Sequence, residues 1–155
     1  MIATDYTIAD TIDAIMDAAG STLILHAAAV HLSGDAQIDT QALATLVAMP
    51  GFSHGGATLT VVDGPVEIAA HAAGILAVGA LAHVNASPML TAAQAEALVP
   101  LHDAGVLSFT GTNHIAIADS FAALTDSANA GAVALASVIA IHDTATGLIA
   151  AAAHD

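Results

Sequence analysis

The stretch HIAIADSFAAL, His114–Leu124, changes period in its middle. Ile115 and Ile117 alternate with small residues, as in a half-buried strand. Phe121 and Leu124, three apart, belong to one face of a helix. Asp119 and Ser120 stand at the junction, where a helix N-terminus needs side-chain oxygens. The same phrase recurs as TIADTIDAI (Thr7–Ile15), TVVDGPVEI (Thr60–Ile68) and AIHDTATGL (Ala140–Leu148). Aligned on the acidic residue, Asp10, Asp63, Asp119 and Asp143 follow Ile8, Val61, Ile117 and Ile141 by two positions. Five positions further on lie Ile15, Ile68, Leu124 and Leu148. A hydroxyl follows three of the four carboxylates, as Thr11, Ser120 and Thr144; Gly64 follows the other.

Two more helix starts fall between these phrases. IDTQALATLV places Asp39 before an apolar run, and LTAAQAEALV carries Thr91 and Gln94 at capping-box spacing. The starts are then 10, 39, 63, 91, 119 and 143, separated by 29, 24, 28, 28 and 24 residues. Near-equal steps of this size predict one supersecondary unit per repeat. In each unit an apolar run (TLILHAAAV, ATLTVV, GILAVGALAHV, NHIAIA or SVIAI) forms a strand. The Asp ties down the next helix, about nine Ala-rich residues follow, and Gly20, Gly105 or Asn129–Gly131 releases the chain.

Strands separated by helices imply a parallel sheet. The expected fold is α/β: a repeat solenoid of about six strand–helix units, forming one repeat domain over residues 1–155. The alternative is a single doubly wound α/β domain. The units are short for that arrangement, because a strand–helix–strand crossover usually needs about 30 residues or more.

Composition narrows the function. The chain of 155 residues has 14 Asp and Glu, nine His and no Lys or Arg. With no cation to neutralise phosphate, nucleic acid is excluded as a partner, and so are anionic membrane surfaces. Hydrophobic residues make up 57% of the chain, yet the longest apolar run, Ala72–Ala82, has 11 residues. It is too short to span a bilayer, so no membrane insertion is expected. Cysteine is absent, which leaves no disulfide or thiolate metal site. The opening MIATDYTIAD has neither a basic nor an apolar segment of a cleavable signal.

The phrases IADTIDAI, IADSFAAL and IHDTATGL, together with LTAAQAEAL, resemble repeats of large secreted bacterial surface proteins. These include giant adhesins, S-layer-like proteins and RTX-type proteins exported by the type I pathway. The likeness runs from Thr7 to about Leu148, and GLIAAAAHD looks like the small-apolar tails of such substrates. It implies an extracellular or cell-surface structural or adhesive role, and frequent dependence on calcium. The nonapeptide calcium motif is missing; SHGGATLTVVDG offers only a glycine pair.

Chemistry is sparse. The histidines show no HxH, HExxH or similar ligand spacing and read as surface residues in positions Lys or Arg would otherwise take. Ser53, in GFSHGG, does not sit in a nucleophile elbow. Glu67 and Glu96 read as solvated helix-face residues. The weak metal candidates are Asp10, Asp63, Asp119 and Asp143, which would line one edge as a calcium ladder. Against this, each unit supplies one recurrent carboxylate, and calcium takes several oxygens. The expected function is therefore non-catalytic: a structural or interaction protein that self-associates or forms part of a fibre. The alternative is a calcium-responsive module that folds or stiffens on cation binding.

Overall fold

A computed structural model of the protein describes residues 6–87, 89–146 and 149. The expected C-terminal tail, and most of the helix expected after Asp143, lie outside the described residues. The chain is α/β, and the recorded strand registers are all parallel. It divides into two compact units, Met1–Val62 with Ala73–His83, and Asp63–Ala72 with Val84–Asp155.

The first unit begins with β1 (Thr7–Asp10), α1 (Ile12–Asp17) and α2 (Thr22–Leu25). After these come β2 (Ala29–Leu32), β3 (Ala36–Ile38), α3 (Thr40–Val47), β4 (Phe52–Ser53) and β5 (Leu59–Asp63). The helix α4 (Pro65–Val78), divided between the two units after Ala72, then leads to β6 (Leu81–Val84). The strands lie in the orders β1-β2-β4 and β3-β5-β6, following the chain without reversal. Thr7 pairs with Ala29, Val30 with Phe52 and Ala36 with Leu59, so neighbouring strands are 22 or 23 residues apart. Ile15, Ile24, Val30, Leu43, Leu46, Leu59, Val61 and Ile75 are fully buried in this unit.

The second unit holds β7 (Met89–Leu90), α5 (Ala92–Glu96), α6 (Val99–Asp103) and β8 (Leu107–Phe109). They are followed by β9 (Ala116–Asp119), α7 (Phe121–Thr125), a 3₁₀ turn at Ser127–Asn129, α8 (Ala130–Leu135) and β10 (Val138–Ile141). Its sheet runs β7-β9-β10, with Met89 against Ala116 and Ala116 against Val138. Leu90, Leu98, Leu101 and Ile117 form its core.

Several expected boundaries move for local reasons. TLILHAAAV is not one strand: the Ser21 hydroxyl accepts from the Ile24 N–H at 3.3 Å and starts α2, and the strand begins only at Ala29. GILAVGALAHV likewise starts as the end of α4, since a continuous apolar run carries no period to separate helix from strand. Gly79, at φ 70°, ends that helix, with the Ala80 N–H reaching back to the Ile75 carbonyl at 3.0 Å. Gly105, also at φ 70°, closes α6 in the same way, with Val106 N–H on the Leu101 carbonyl at 3.1 Å. Gly131 does not release a helix; it lies inside α8, where a Cβ would meet Glu96 Oε1 at 2.9 Å and Val99 Cγ2 at 3.1 Å. The helix after Ser120 is also shorter than expected: α7 has five residues before the 3₁₀ turn interrupts it. Among the described residues no helix is long and apolar enough to cross a membrane.

Candidate functional site

The junction between strand and helix is a polar arrangement that recurs among the described residues. At two of the four phrases the residue after the carboxylate, not the carboxylate itself, caps the following helix. The Thr11 hydroxyl accepts from Ala14 N–H at 3.4 Å, and the Ser120 hydroxyl accepts from Ala123 N–H at 3.2 Å. Asp39 caps α3 directly, accepting from Ala42 N–H at 2.7 Å. Thr91 completes the capping box, with Gln94 Oε1 accepting from the Thr91 N–H at 2.9 Å.

The phrase carboxylates have a different task. One oxygen accepts the N–H of the next residue: Thr11 at 2.8 Å for Asp10, Gly64 at 2.8 Å for Asp63, Ser120 at 2.8 Å for Asp119 and Thr144 at 2.7 Å for Asp143. In two of them the second oxygen reaches back to an earlier pass of the chain. Asp119 Oδ2 accepts from Ala92 N–H at 2.9 Å, at the first residue of α5. Asp143 Oδ2 accepts from Phe121 N–H at 3.1 Å, at the first residue of α7. Each carboxylate therefore joins its own turn to the helix start of the pass before it, and its charge faces the positive end of that helix.

Two acidic residues that the spacing did not single out act similarly. Asp35 Oδ1 accepts from Thr58 N–H, 23 positions away, at 2.6 Å. Glu96 Oε2 accepts from Ala132 N–H at 2.6 Å, so Glu96 is a part-buried tie between α5 and α8 rather than a solvated face residue. The signal available for Glu96 was Gly131, the residue whose missing Cβ makes room for it.

The histidines supply the complementary donors. Nδ1 of His26, His71, His54 and His114 lies 2.8, 2.9, 2.6 and 3.1 Å from the backbone carbonyls of Thr22, Glu67, Ala57 and Thr112. A carbonyl only accepts, so each of these rings carries its proton on Nδ1. His102 Nδ1 is 3.3 Å from Asp103 Oδ1, with both side chains exposed.

The arrangement nearest to a catalytic pair is His31 Nδ1 against Ser53 Oγ at 2.6 Å. These two residues are register partners on the adjacent parallel strands β2 and β4, which accounts for their meeting. Among the described residues no carboxylate orients this histidine, as a nucleophile–base pair requires. Nor do three His, Asp or Glu residues come close enough to hold a metal ion among the described residues. The four candidate ligands Asp10, Asp63, Asp119 and Asp143 thus stand at separate junctions.

No family model, no curated protein and no solved structure matches this sequence. Its functional reading rests on the junction geometry and on the residues themselves.

Proposed function

We propose that the chain is a non-catalytic structural or interaction module, a short β/α solenoid of the extracellular or cell-surface layer that self-associates or forms part of a fibre or adhesin. The observation that carries this reading is the pair of carboxylates Asp119 and Asp143, each bonded to its own turn and to the helix start one pass earlier. A repeated bond of this kind holds successive passes at a fixed spacing. Two further features support it. Strand order follows chain order within each unit, whereas a doubly wound sheet reverses at a switch point. The interior is built from Ile, Leu, Val and Ala, which suit layers of uniform thickness. Surface location is supported by the acidic, base-free and cysteine-free composition together with the repeat phrases. Calcium has little room in this reading, because Asp119 and Asp143 already use both oxygens on backbone N–H groups.

Native-state hydrogen exchange tests the solenoid. Ile15→Ala opens a cavity near α1, and a quasi-one-dimensional stack loses protection there while β9 and β10 keep theirs. Equal loss of protection throughout would show one cooperative globule and overturn the reading. The non-catalytic part predicts that Ser53 resists a fluorophosphonate probe; stoichiometric labelling of Ser53 would make the His31–Ser53 pair an active site.

A further inference from the structure

The first and last strands of the described chain carry complementary halves of the internal junction. β10 is apolar on both faces, with Val138, Ile139 and Ile141 exposed to 42, 45 and 51%. Its register partners on β9 are buried: Ala116 at 6% opposite Val138, and Ile117 at 0% opposite Ile139. The difference is coverage. β9 has strand neighbours on both edges, β7 and β10, whereas β10 has only β9 among the described residues. It also lacks the usual protection of an open edge, having no Lys, Pro or other charged or ring-constrained residue within Val138–Ile141.

β1 shows the opposite deficit. It reads TIAD where β9 reads AIAD, and Asp10 holds Thr11 N–H as Asp119 holds Ser120 N–H. On its earlier side β9 meets β7, and Asp119 Oδ2 takes a backbone N–H from that side. β1 has no strand on its earlier side, and Asp10 Oδ2 no partner, among the described residues. In strand order β10 is open on its later side and β1 on its earlier side among the described residues. They therefore match as heterologous surfaces, not as a two-fold pair.

We infer that β10 of one molecule takes β1 of a second copy as its next parallel strand, giving head-to-tail association. This rests on the self-associating reading above and names the surfaces. Strand addition of this kind uses the outward backbone groups, whose positions follow from the bonds already made. The Tyr6 and Asp10 carbonyls accept from Ala28 and Ser33 N–H, so alternation turns the Ala9 N–H away from β2. Ser137 N–H donates to the Ile115 carbonyl, so the Val138 N–H points away from β9.

Proline at either outward position blocks one edge without removing an internal bond. Sedimentation equilibrium on the full chain should show a mass that rises with concentration for the wild type. Ala9→Pro alone and Val138→Pro alone should each stay monomeric, because each keeps an open edge of one kind only and cannot pair with itself. Ala9→Pro keeps an open β10 and Val138→Pro keeps an open β1. Equimolar mixing should therefore give a one-to-one species of twice the monomer mass, while each variant alone stays monomeric. Ile139→Lys, which leaves the backbone unchanged, should reproduce the β10 block. Circular dichroism identical to wild type shows that the variants fold. A mixture that stays monomeric, or a doubly blocked chain that still associates, overturns the head-to-tail pairing. A wild type that is monomeric at every concentration and salt level overturns self-association itself.

Discussion

Asp119→Ala isolates what a cross-pass carboxylate contributes. The substitution removes two bonds to a charged acceptor, from Ser120 N–H at 2.8 Å and Ala92 N–H at 2.9 Å, both part-buried. Bonds to charged groups contribute about 1.5–3 kcal/mol each, and water rehydrates part of what is exposed, so the expected loss is about 2–4 kcal/mol. Asp10→Ala is the internal control. It removes one exposed bond of the same type, Thr11 N–H at 2.8 Å, and should cost about 0.5–1 kcal/mol. In a chain of this size each kcal/mol moves the melting temperature by about 2–4 °C, so the two variants should fall roughly 4–16 °C and 1–4 °C respectively. Urea denaturation followed by circular dichroism gives the same comparison through the midpoint at constant slope. Hydrogen exchange adds the location: the Ala92 amide should lose protection in Asp119→Ala and keep it in Asp10→Ala. Equal destabilisation by the two substitutions would mean that the bond to the earlier pass contributes nothing.

Further outcomes follow from glycine packing and from charge. Gly131→Ala should cost about 1–3 kcal/mol, since its Cβ meets Glu96 Oε1 at 2.9 Å and displaces the carboxylate from Ala132 N–H. Gly74→Ala, in α4 with nothing within 4 Å of the added Cβ, should stabilise by about 0.4–1 kcal/mol in the same thermal melts. With a formal net charge of −14 and no Lys or Arg, added sodium chloride should raise the melting temperature through screening. Calcium should add no more than its ionic strength; a stepwise rise at millimolar calcium, with heat in a calorimetric titration, would favour a bound ion.

Much of the fold was legible because its signals are local. The Asp phrases mark real strand-to-helix junctions at Asp10, Asp63 and Asp119, and Thr91–Gln94 forms both bonds of its box. The short strands β3, β4, β7 and β8 were not legible, since two or three residues cannot display a period. Nor was the helical state of Thr22–Leu25, where one Ser21 hydroxyl bond outweighs a β-favouring composition. The junction was half legible. Sequence places an oxygen at each helix start, but the second partner of Asp119 lies 27 positions back and that of Asp143 lies 22 back. Those separations come from strand register, which no single phrase encodes.

The same geometry explains how a chain without Lys or Arg can bury polar junctions at all. In most proteins a part-buried carboxylate takes an ammonium or guanidinium, with two long side chains ordered per pair. Here the donor is the backbone N–H at a helix start, which is already fixed and has no intrahelical partner of its own. Glu96, Asp119 and Asp143 take such donors from another segment of the chain, and Asp35 takes the Thr58 N–H just before β5. Histidine Nδ1 then serves the opposite need, donating to local carbonyls such as those of Thr22 and Glu67 four residues back. Polar satisfaction therefore proceeds from side chain to backbone in both directions, and among the described buried side-chain N and O atoms none lacks a partner. An arrangement of this kind depends on strand register, because a carboxylate finds its distant N–H only when neighbouring parallel strands keep their pairing. A Lys placed at Asp119 would not restore an ion pair; it would leave the Ser120 and Ala92 N–H groups facing another donor. Asp119→Lys should accordingly be more damaging than Asp119→Ala in the same melts, although it reduces the net negative charge. If Asp119→Lys were instead the milder change, relief of repulsion would outweigh the junction, and the carboxylates would be better described as surplus charge than as ties.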